Sequence, residues 1–215
     1  MTITRSAFGL GLMLALLGQF AFSGPAAVAA DPPAAPGMQQ IVLAGGCFWG
    51  MELVFDNVAG VKQAMPGYSG GDADTAHYEM VSTGTTGHAE SVRITYDPAK
   101  ISLDQLLTVY FTVAHDPTEL DRQGPDDGTQ YRSAIFVSNA EQRAAAQAMI
   151  VKLTAEHRFP APIVTKLETF RHFYPAEDYH VKYAVLHPNE PYIVYNDLPK
   201  LAALKKAYPQ LVAQK

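Results

Sequence analysis

Apolar and polar side chains alternate from Ala89 to Tyr96, with Val92, Ile94 and Tyr96 on one face. A period of two residues is typical of a β-strand that buries one face, and the Asp97-Pro98 pair ends the pattern. Short apolar runs predict further strands at residues 39–43, 61–68 and 133–137, at 163–167, and as a further candidate at 169–174.

Apolar residues at helical spacing predict helices between these strands. Ser102 is placed to cap a helix that extends to about residue 113. Ser138, with Glu141 three residues later, forms a capping box that opens a helix over residues 139–157. Further helices are predicted at residues 48–56, 176–184 and 200–208.

Strands and helices alternate along the chain, but several strands also follow one another directly. This order predicts an α+β fold, a two-layer sandwich in which helices pack on a mixed β-sheet with a ferredoxin-like core. A doubly wound parallel sheet is disfavoured by the adjacent strands. Residues 39–215 are of a size that fits one domain with a substantial core.

The first 30 residues have the three parts of a secretory signal peptide: Arg5, an apolar run, and small residues before the end. We expect cleavage after Ala29 or Ala30, a disordered lead-in over residues 31–38, and export to a periplasmic or extracellular compartment without a stable membrane anchor. An uncleaved anchor is opposed by a run that is short and broken by glycines. A lipoprotein box at Cys47 is opposed by the polar spacer that separates it from the apolar run.

Composition narrows the classes of function. A net charge of −5 and a pI near 5.8 give no basis for nucleic-acid binding. Beyond the leader no apolar run is long enough to span a bilayer. The chain has one cysteine, so in an oxidising compartment the thiol is either reactive or pairs with an external group. We expect the domain to be a monomer.

That cysteine, Cys47, follows Gly45 and Gly46 at a predicted strand-to-helix turn. Glycines let the backbone bend there and approach a ligand closely. Unpaired N–H groups and the positive end of the helix dipole favour a thiolate at this position. Trp49, the only tryptophan, adds an aromatic wall two residues later. The ordinary alternative is a buried cysteine that acts as a small hydrophobic residue.

Three further stretches place polar groups in loops or at strand ends. Glu90 begins a strand, where a partly buried carboxyl group has a raised pKa and can donate a proton at neutral pH; an exposed strand-edge glutamate is the alternative. Asp126 and Tyr131 precede another strand and offer an acid and a phenol, or mark an ordinary turn. Asp178 and His180 either orient active-site groups or are a helix-start aspartate and a surface histidine.

The seven histidines lack the spacing of zinc motifs, so no metal site is predicted. A Cys/His hydrolase is an alternative enzyme, with Cys47 as nucleophile, His88 or His180 as base, and Asp126 as the orienting acid. The neighbouring pair Phe48-Trp49 argues against it, because a flat apolar wall suits a small apolar group better than a carbonyl that needs an oxyanion hole.

Five motifs in order closely resemble peptide methionine sulfoxide reductase of the A class, from about Gln39 to at least Tyr183. They are Gly46-Cys47-Phe48-Trp49, Gly67-Tyr68-Ser69-Gly70-Gly71, Thr86-Gly87-His88-Ala89-Glu90, Gly128-Thr129-Gln130-Tyr131-Arg132-Ser133 and Pro175-Ala176-Glu177-Asp178-Tyr179-His180.

The resemblance implies that the Cys47 thiolate attacks the sulfur of methionine S-sulfoxide, free or in oxidised proteins, while Glu90 protonates the oxygen. It implies that Tyr78 and Tyr131 help to hold that oxygen. The polar loop over residues 69–87 that contains Tyr78 is shorter and more acidic than is usual in the family. Cys47 would become a sulfenic acid, the reversible first stage of thiol oxidation.

The same resemblance assigns the aromatic wall for the S-methyl group to Phe48 and Trp49. It assigns a supporting aspartate to Asp126 and an outer hydrogen-bonding role to His180. No metal or organic cofactor is required.

Many relatives carry further cysteines near the C-terminus, and this chain does not. An external thiol, either a thioredoxin-like protein or a small thiol, is therefore expected to reduce the sulfenic acid. A module that binds a sulfoxide peptide or a partner, and that forms a mixed disulfide through Cys47, is the alternative from another functional class.

Overall fold

The structure, a computed structural model, describes residue 2 and residues 34–214. The predicted signal peptide and the first part of the lead-in lie outside the described residues, apart from Thr2. Residues 34–38 include a turn in which the Met38 N–H donates to the Ala35 carbonyl at 2.9 Å. Within the described residues, no helix combines the length and the apolar character that crossing a bilayer requires.

Eight strands occur within residues 34–214. In chain order they are β1 (Gln39–Ala44), β2 (Val61–Ser69), β3 (Ala89–Tyr96), β4 (Arg122–Gln123), β5 (Asp126–Asp127), β6 (Ala134–Val137), β7 (Lys166–Thr169) and β8 (Tyr174–Pro175). β4 and β5 form a separate hairpin, and the other six form one sheet in the order β7-β6-β1-β3-β2-β8.

Neighbouring strands of the large sheet are antiparallel except β6 and β7, which are parallel, so the sheet is mixed. The central order β6-β1-β3-β2, with helices between β1 and β2 and between β3 and β6, is the βαββαβ arrangement of ferredoxin-like folds. The predicted α+β class is therefore confirmed. Tyr68 pairs with Glu90 in this sheet, so the start of β3 lies beside the end of β2.

The helices of the described chain are α1 (Phe48–Asp56), α2 (Tyr78–Val81), α3 (Leu103–Val109), α4 (Ala140–Ala155), α5 (Tyr183–Leu186) and α6 (Leu198–Ala207). Ser102 caps α3 as predicted, and Gln105 completes a capping box. The chain then continues in a π-helical stretch, Tyr110–Ala114. A second π-helical stretch, Ile193–Asp197, leads into α6.

Three local predictions were wrong. The strand candidate at residues 169–174 does not form, since β7 ends at Thr169, β8 begins at Tyr174 and the residues between them are not in a strand. Asn139, not Ser138, caps α4, because its side-chain oxygen accepts from the Gln142 N–H at 2.8 Å while the Ser138 hydroxyl donates to the Gln142 side chain. The helix predicted over residues 176–184 is divided into a 3₁₀ turn, Asp178–His180, and the short α5. Lys182, with φ +57, separates the two because a left-handed residue cannot continue a right-handed helix.

Both faces of the sheet are covered. Ile41 and Leu43 of β1 belong to the main core with α1 and α3, whereas Val42 and Ala44 face a smaller cluster on the other side. Burial of such a large aliphatic side chain contributes about 1.5–3 kcal/mol. This packing holds the end of β1 and the start of β3 in place, and the polar groups described next project from these two points.

Candidate active site

The turn between β1 and α1 carries Cys47. Gly46 has φ +89, and a Cβ there would lie 2.5 Å from the Gln123 side chain. A Cβ at Gly45 would lie 2.7 Å from the His115 ring. Both glycines are therefore required by close packing, and Gly46 is required also by its positive φ. The turn delivers Cys47 to the N-cap position of α1, where the residue is only 7% exposed.

Glu90 projects from the start of β3 towards the same helix end. Its Oε2 accepts the Phe48 N–H at 3.0 Å, and the residue is 2% exposed. The contact joins the carboxyl group to the residue directly after Cys47. Burial raises the pKa of Glu90 to about 8, with further contributions from Asp126 and Asp197, although the Phe48 N–H acts in the opposite direction. The side chain therefore holds a proton at neutral pH, and the prediction of a buried glutamate is confirmed over the exposed alternative.

The expectation that the helix end makes Cys47 a resting thiolate was wrong. Burial raises the pKa of the Cys47 thiol well above its usual value, and the charges of Glu90 and Asp197 raise it further. The Trp49 N–H at the helix start lowers it, as expected, but this effect is smaller than the cost of ionising a buried sulfur. In the free protein Cys47 is therefore a thiol.

Two phenols lie close enough to Glu90 and Cys47 for their pKa values to respond to both. Burial and then the charge of Glu90 raise the pKa of Tyr78, which begins α2, and that of Tyr131, which ends a 3₁₀ turn. The two segments are joined, since the Thr129 hydroxyl donates to the Gly84 carbonyl at 2.7 Å. The structure therefore brings together the predicted thiol, acid and phenols.

Trp49 is the centre of an aromatic group. Its ring stacks on Tyr183 with a centroid distance of 3.9 Å and an interplanar angle of 12°, and it meets Tyr192 edge-on at 5.9 Å. Phe48 is almost fully buried, with its ring 4.9 Å from that of His180. Trp49 is half-buried, so of the two predicted wall residues it presents more surface.

His180 is buried, unlike the surface histidine of the alternative reading. Its Nδ1 accepts from the Trp49 indole N–H at 3.1 Å, so the neutral ring carries its proton on Nε2. Nε2 makes no hydrogen bond and lies 4.0 Å from a Glu177 carboxylate oxygen. Burial lowers the pKa of His180, which favours this neutral form. Its contact with Trp49 fits the predicted outer role.

Asp126 accepts a short hydrogen bond from the Tyr192 hydroxyl. Burial raises the pKa of Asp126, and burial followed by the charge of Cys47 strongly raises that of Tyr192. Tyr192 was missed in the sequence because it follows a Pro-rich turn and belongs to none of the recognised motifs. The aspartate predicted to support the site is thus linked to the aromatic group around Trp49.

A second carboxyl group near Cys47 was also missed. Asp197 is fully buried at the end of the second π-helical stretch, and its Oδ1 lies 3.4 Å from the Lys200 ammonium. Its Oδ2 is buried without a hydrogen-bond partner. A Cβ at Gly50 would lie 2.1 Å from Oδ1, so the absence of a side chain there admits the carboxylate to the first turn of α1. Burial raises the pKa of Asp197 to about 6, while Lys200 lowers it.

The arrangement gives little support to a hydrolase. His88 Nδ1 accepts from the Gly71 N–H at 3.3 Å, and Nε2 faces the Asp72 carbonyl at 2.9 Å, so both nitrogens serve the backbone. His180 is engaged with Trp49. In the part of the chain that the structure describes, no group of three or more His, Cys, Asp or Glu side chains is placed to hold a metal ion.

Comparison with known proteins agrees with the motifs and the geometry. The family model described as peptide methionine sulfoxide reductase matches residues 39–211. A peptide methionine sulfoxide reductase, MsrA 2, of Mesorhizobium japonicum is 57% identical over 185 residues, which cover 86% of this chain and 95% of that protein. The MsrA 2 of Synechocystis is 46% identical over 207 residues, which cover 93% and 96%.

Solved structures show the same fold. Mxr1 from Saccharomyces cerevisiae in its reduced form matches with a TM-score of 0.66 and 31% identity, over 73% of this chain and 90% of that one. Methionine sulfoxide reductase A of Corynebacterium diphtheriae matches with a TM-score of 0.61 and 34% identity, over 72% and 77%.

Proposed function

The chain belongs to the peptide methionine sulfoxide reductase family, A type, and we propose that Cys47 is the nucleophile and Glu90 the proton donor of its reaction. The reaction itself is the reduction of methionine (S)-sulfoxide to methionine. The observation that carries the assignment is the 3.0 Å hydrogen bond from the Phe48 N–H to Glu90, which places a protonated carboxyl group beside the buried thiol.

A sulfoxide combines a strongly polar S–O group with an apolar methyl group. We assign the methyl group to the face of Trp49 and the oxygen to Glu90, Tyr78 and Tyr131. Protonation or strong hydrogen bonding at the oxygen makes the sulfur electrophilic. Because Glu90 is neutral at pH 7, its charge does not oppose ionisation of Cys47 at that stage.

Cys47 Sγ attacks the substrate sulfur, Glu90 delivers its proton to the oxygen, and the thiol proton returns to Glu90. The sulfur–sulfur bond formed in this attack and the sulfur–oxygen bond of the substrate then both break as the hydroxyl group passes to Sγ and forms an Sγ–O bond, so methionine leaves reduced by two electrons. Cys47 is oxidised by two electrons to a sulfenic acid.

We assign the reduction of this sulfenic acid to an external thiol. The 215-residue sequence contains no second cysteine, so an intramolecular disulfide is not open to it. A thioredoxin-like protein or a small dithiol supplies two electrons and two protons, regenerating the thiol and releasing water. The leader pattern of residues 1–30 supports export, so the proposed setting is the repair of oxidised proteins in a periplasmic or extracellular compartment.

A single-turnover experiment without reductant tests the nucleophile and the missing resolving cysteine together. We expect about one methionine per enzyme, and labelling of Cys47 by a dimedone-type probe that depends on the S epimer of the substrate. Cys47→Ser should give neither product nor label. Multiple turnovers without added thiol would refute the need for an external reductant, and product from the serine variant would refute the nucleophile. Substrate retention without product or label would instead support the binding-module alternative.

A further inference from the structure

Helix α1 itself carries another buried carboxyl group, that of Glu52, on the side of Trp49. Glu52 lies three residues after Trp49, so the two side chains are neighbours on the helix surface. Glu52 is 2% exposed. Both of its carboxylate oxygens lie 2.9 Å from the backbone nitrogen of Lys182, whose N–H donates a bifurcated hydrogen bond to them.

Lys182 stands between the two residues that contact the indole. His180, two residues before it, accepts the Trp49 N–H, and Tyr183, the next residue, stacks on the Trp49 ring. Lys182 itself has φ +57, a left-handed conformation that a lysine rarely adopts without support from its surroundings. The hydrogen bond to Glu52 therefore holds the backbone in place at Lys182, between the His180 and Tyr183 contacts with Trp49.

A buried glutamate without such a partner would be costly, because a charged group loses its hydration in the interior. Burial raises the pKa of Glu52 to about 7, while the Lys182 N–H acts in the opposite direction. The contact therefore stabilises both partners. The Lys182 N–H gives the buried Glu52 carboxylate a hydrogen-bond donor, and the carboxylate stabilises the left-handed backbone of Lys182.

We propose that Glu52 is a positioning residue, which through the Lys182 N–H holds His180 and Tyr183 against Trp49 and so shapes the slot for the substrate methyl group. This inference rests on the proposed function, since it takes Trp49 as the wall of that slot. Glu52 itself does not touch the reacting atoms. It acts on the substrate through the orientation of the indole.

The same helix offers a matched control. Asp56 is also a carboxylate of α1 that accepts a backbone N–H from another segment, that of Ala64 in β2, at 3.1 Å. Asp56→Asn perturbs this second anchor of α1 while Glu52 and the Lys182 N–H stay in place. Because the charge of Asp56 raises the pKa of Glu52, its removal favours the ionised acceptor and does not weaken the Glu52 contact. A general loosening of α1 would therefore affect both variants alike, whereas a role in positioning Trp49 would separate them.

The test uses the full chain and two variants of Glu52. Glu52→Gln retains one acceptor oxygen, and Glu52→Leu removes both. Trp49 is the only tryptophan, so its fluorescence spectrum and its quenching by acrylamide report directly on the slot. We expect a red shift and stronger quenching, larger for leucine than for glutamine. We also expect KM for methionine S-sulfoxide to rise by about tenfold in the leucine variant, with a smaller change in kcat.

Asp56→Asn should leave the Trp49 spectrum and KM at wild-type values. An unchanged Trp49 spectrum in both Glu52 variants would overturn the proposal that the Glu52–Lys182 hydrogen bond positions Trp49. An equal spectral change in Asp56→Asn would overturn it as well. A shifted spectrum with unchanged KM would overturn the role in substrate positioning. If Glu52→Leu does not fold, Glu52→Gln still decides between these outcomes. The fluorescence measurements need no substrate. A wild-type protein without reductase activity would therefore refute the proposed function, while the role of the Glu52–Lys182 hydrogen bond could still be tested.

Discussion

Glu90→Gln should lower the catalytic rate but raise the free energy of unfolding relative to the wild type as the pH increases. The variant keeps an oxygen that can accept the Phe48 N–H but removes the proton that the carboxyl group donates and the charge that it acquires at high pH. General acid catalysis typically contributes about 10²–10⁴-fold, so kcat/KM should fall by that order. The free energy of unfolding should respond differently.

The magnitude follows from the buried carboxyl group. The pKa of Glu90 is raised from 4.5 to about 8 in the folded protein, so the native state binds one proton more than the unfolded state between these values. Below about pH 4.5 Glu90 therefore contributes its full stabilisation of the folded protein. As the pH rises from 4.5 through 8, the wild-type free energy of unfolding falls by about 1.4 kcal/mol per pH unit. Over the whole interval this amounts to about 5 kcal/mol. Glutamine does not titrate, so the variant avoids this loss.

Urea denaturation followed by Trp49 fluorescence, at a series of pH values from about 4 to 9, measures the effect. The difference between variant and wild type should increase steadily with pH across the interval and level off beyond it. Any fixed cost of burying the amide cancels from this trend. Glu156→Gln, the same substitution at an exposed position after α4, is the matched control. Parallel pH profiles for Glu90→Gln and wild type would refute the raised pKa of Glu90, and with it the argument for a proton donor.

Three further predictions concern the same site. Tyr131→Phe removes a hydroxyl assigned to the substrate oxygen and should lower kcat/KM by up to about 10²-fold in a steady-state assay, with unchanged values excluding that contact. Asp197→Asn removes a charge that raises the pKa of Cys47, so alkylation of Cys47 by iodoacetamide should reach its half-maximal rate at lower pH; an upward shift would contradict the sign. Gly46→Ala places a Cβ against Gln123 at a positive φ and should lower the free energy of unfolding by about 1–3 kcal/mol in urea.

The sequence was sufficient for the four central strands of the large sheet, β6, β1, β3 and β2, and for the residues near Cys47 that belong to local motifs. Strand alternation predicted β3, and the Gly-Gly-Cys turn predicted the start of α1, because both patterns depend on neighbours in sequence. The cap of α4 was misassigned because Ser138 and Asn139 are adjacent and either residue type can serve as an N-cap. Only the tertiary geometry decides which side chain reaches the helix N–H groups.

Other features depend on contacts between distant segments. Tyr192 and Asp197 reach the site from the last part of the chain, and no local pattern indicates their burial or their partners. The protonation state of Cys47 was mispredicted for the same reason. The helix end that lowers its pKa is visible in the sequence, whereas the burial and the carboxylates that raise it are assembled only by the fold.

The low exposure of Cys47 also bears on the order of events in turnover. Cys47 as a whole residue is only 7% exposed, so in the proposed reaction the sulfoxide and the reducing thiol must reach its sulfur from the same small exposed area. We therefore expect methionine to depart before the reductant enters, a ping-pong sequence in which the proposed sulfenic acid is the intermediate between the two halves. An excess of sulfoxide would occupy the oxidised enzyme and slow its recovery, so oxidant load and thiol supply would compete for a single opening.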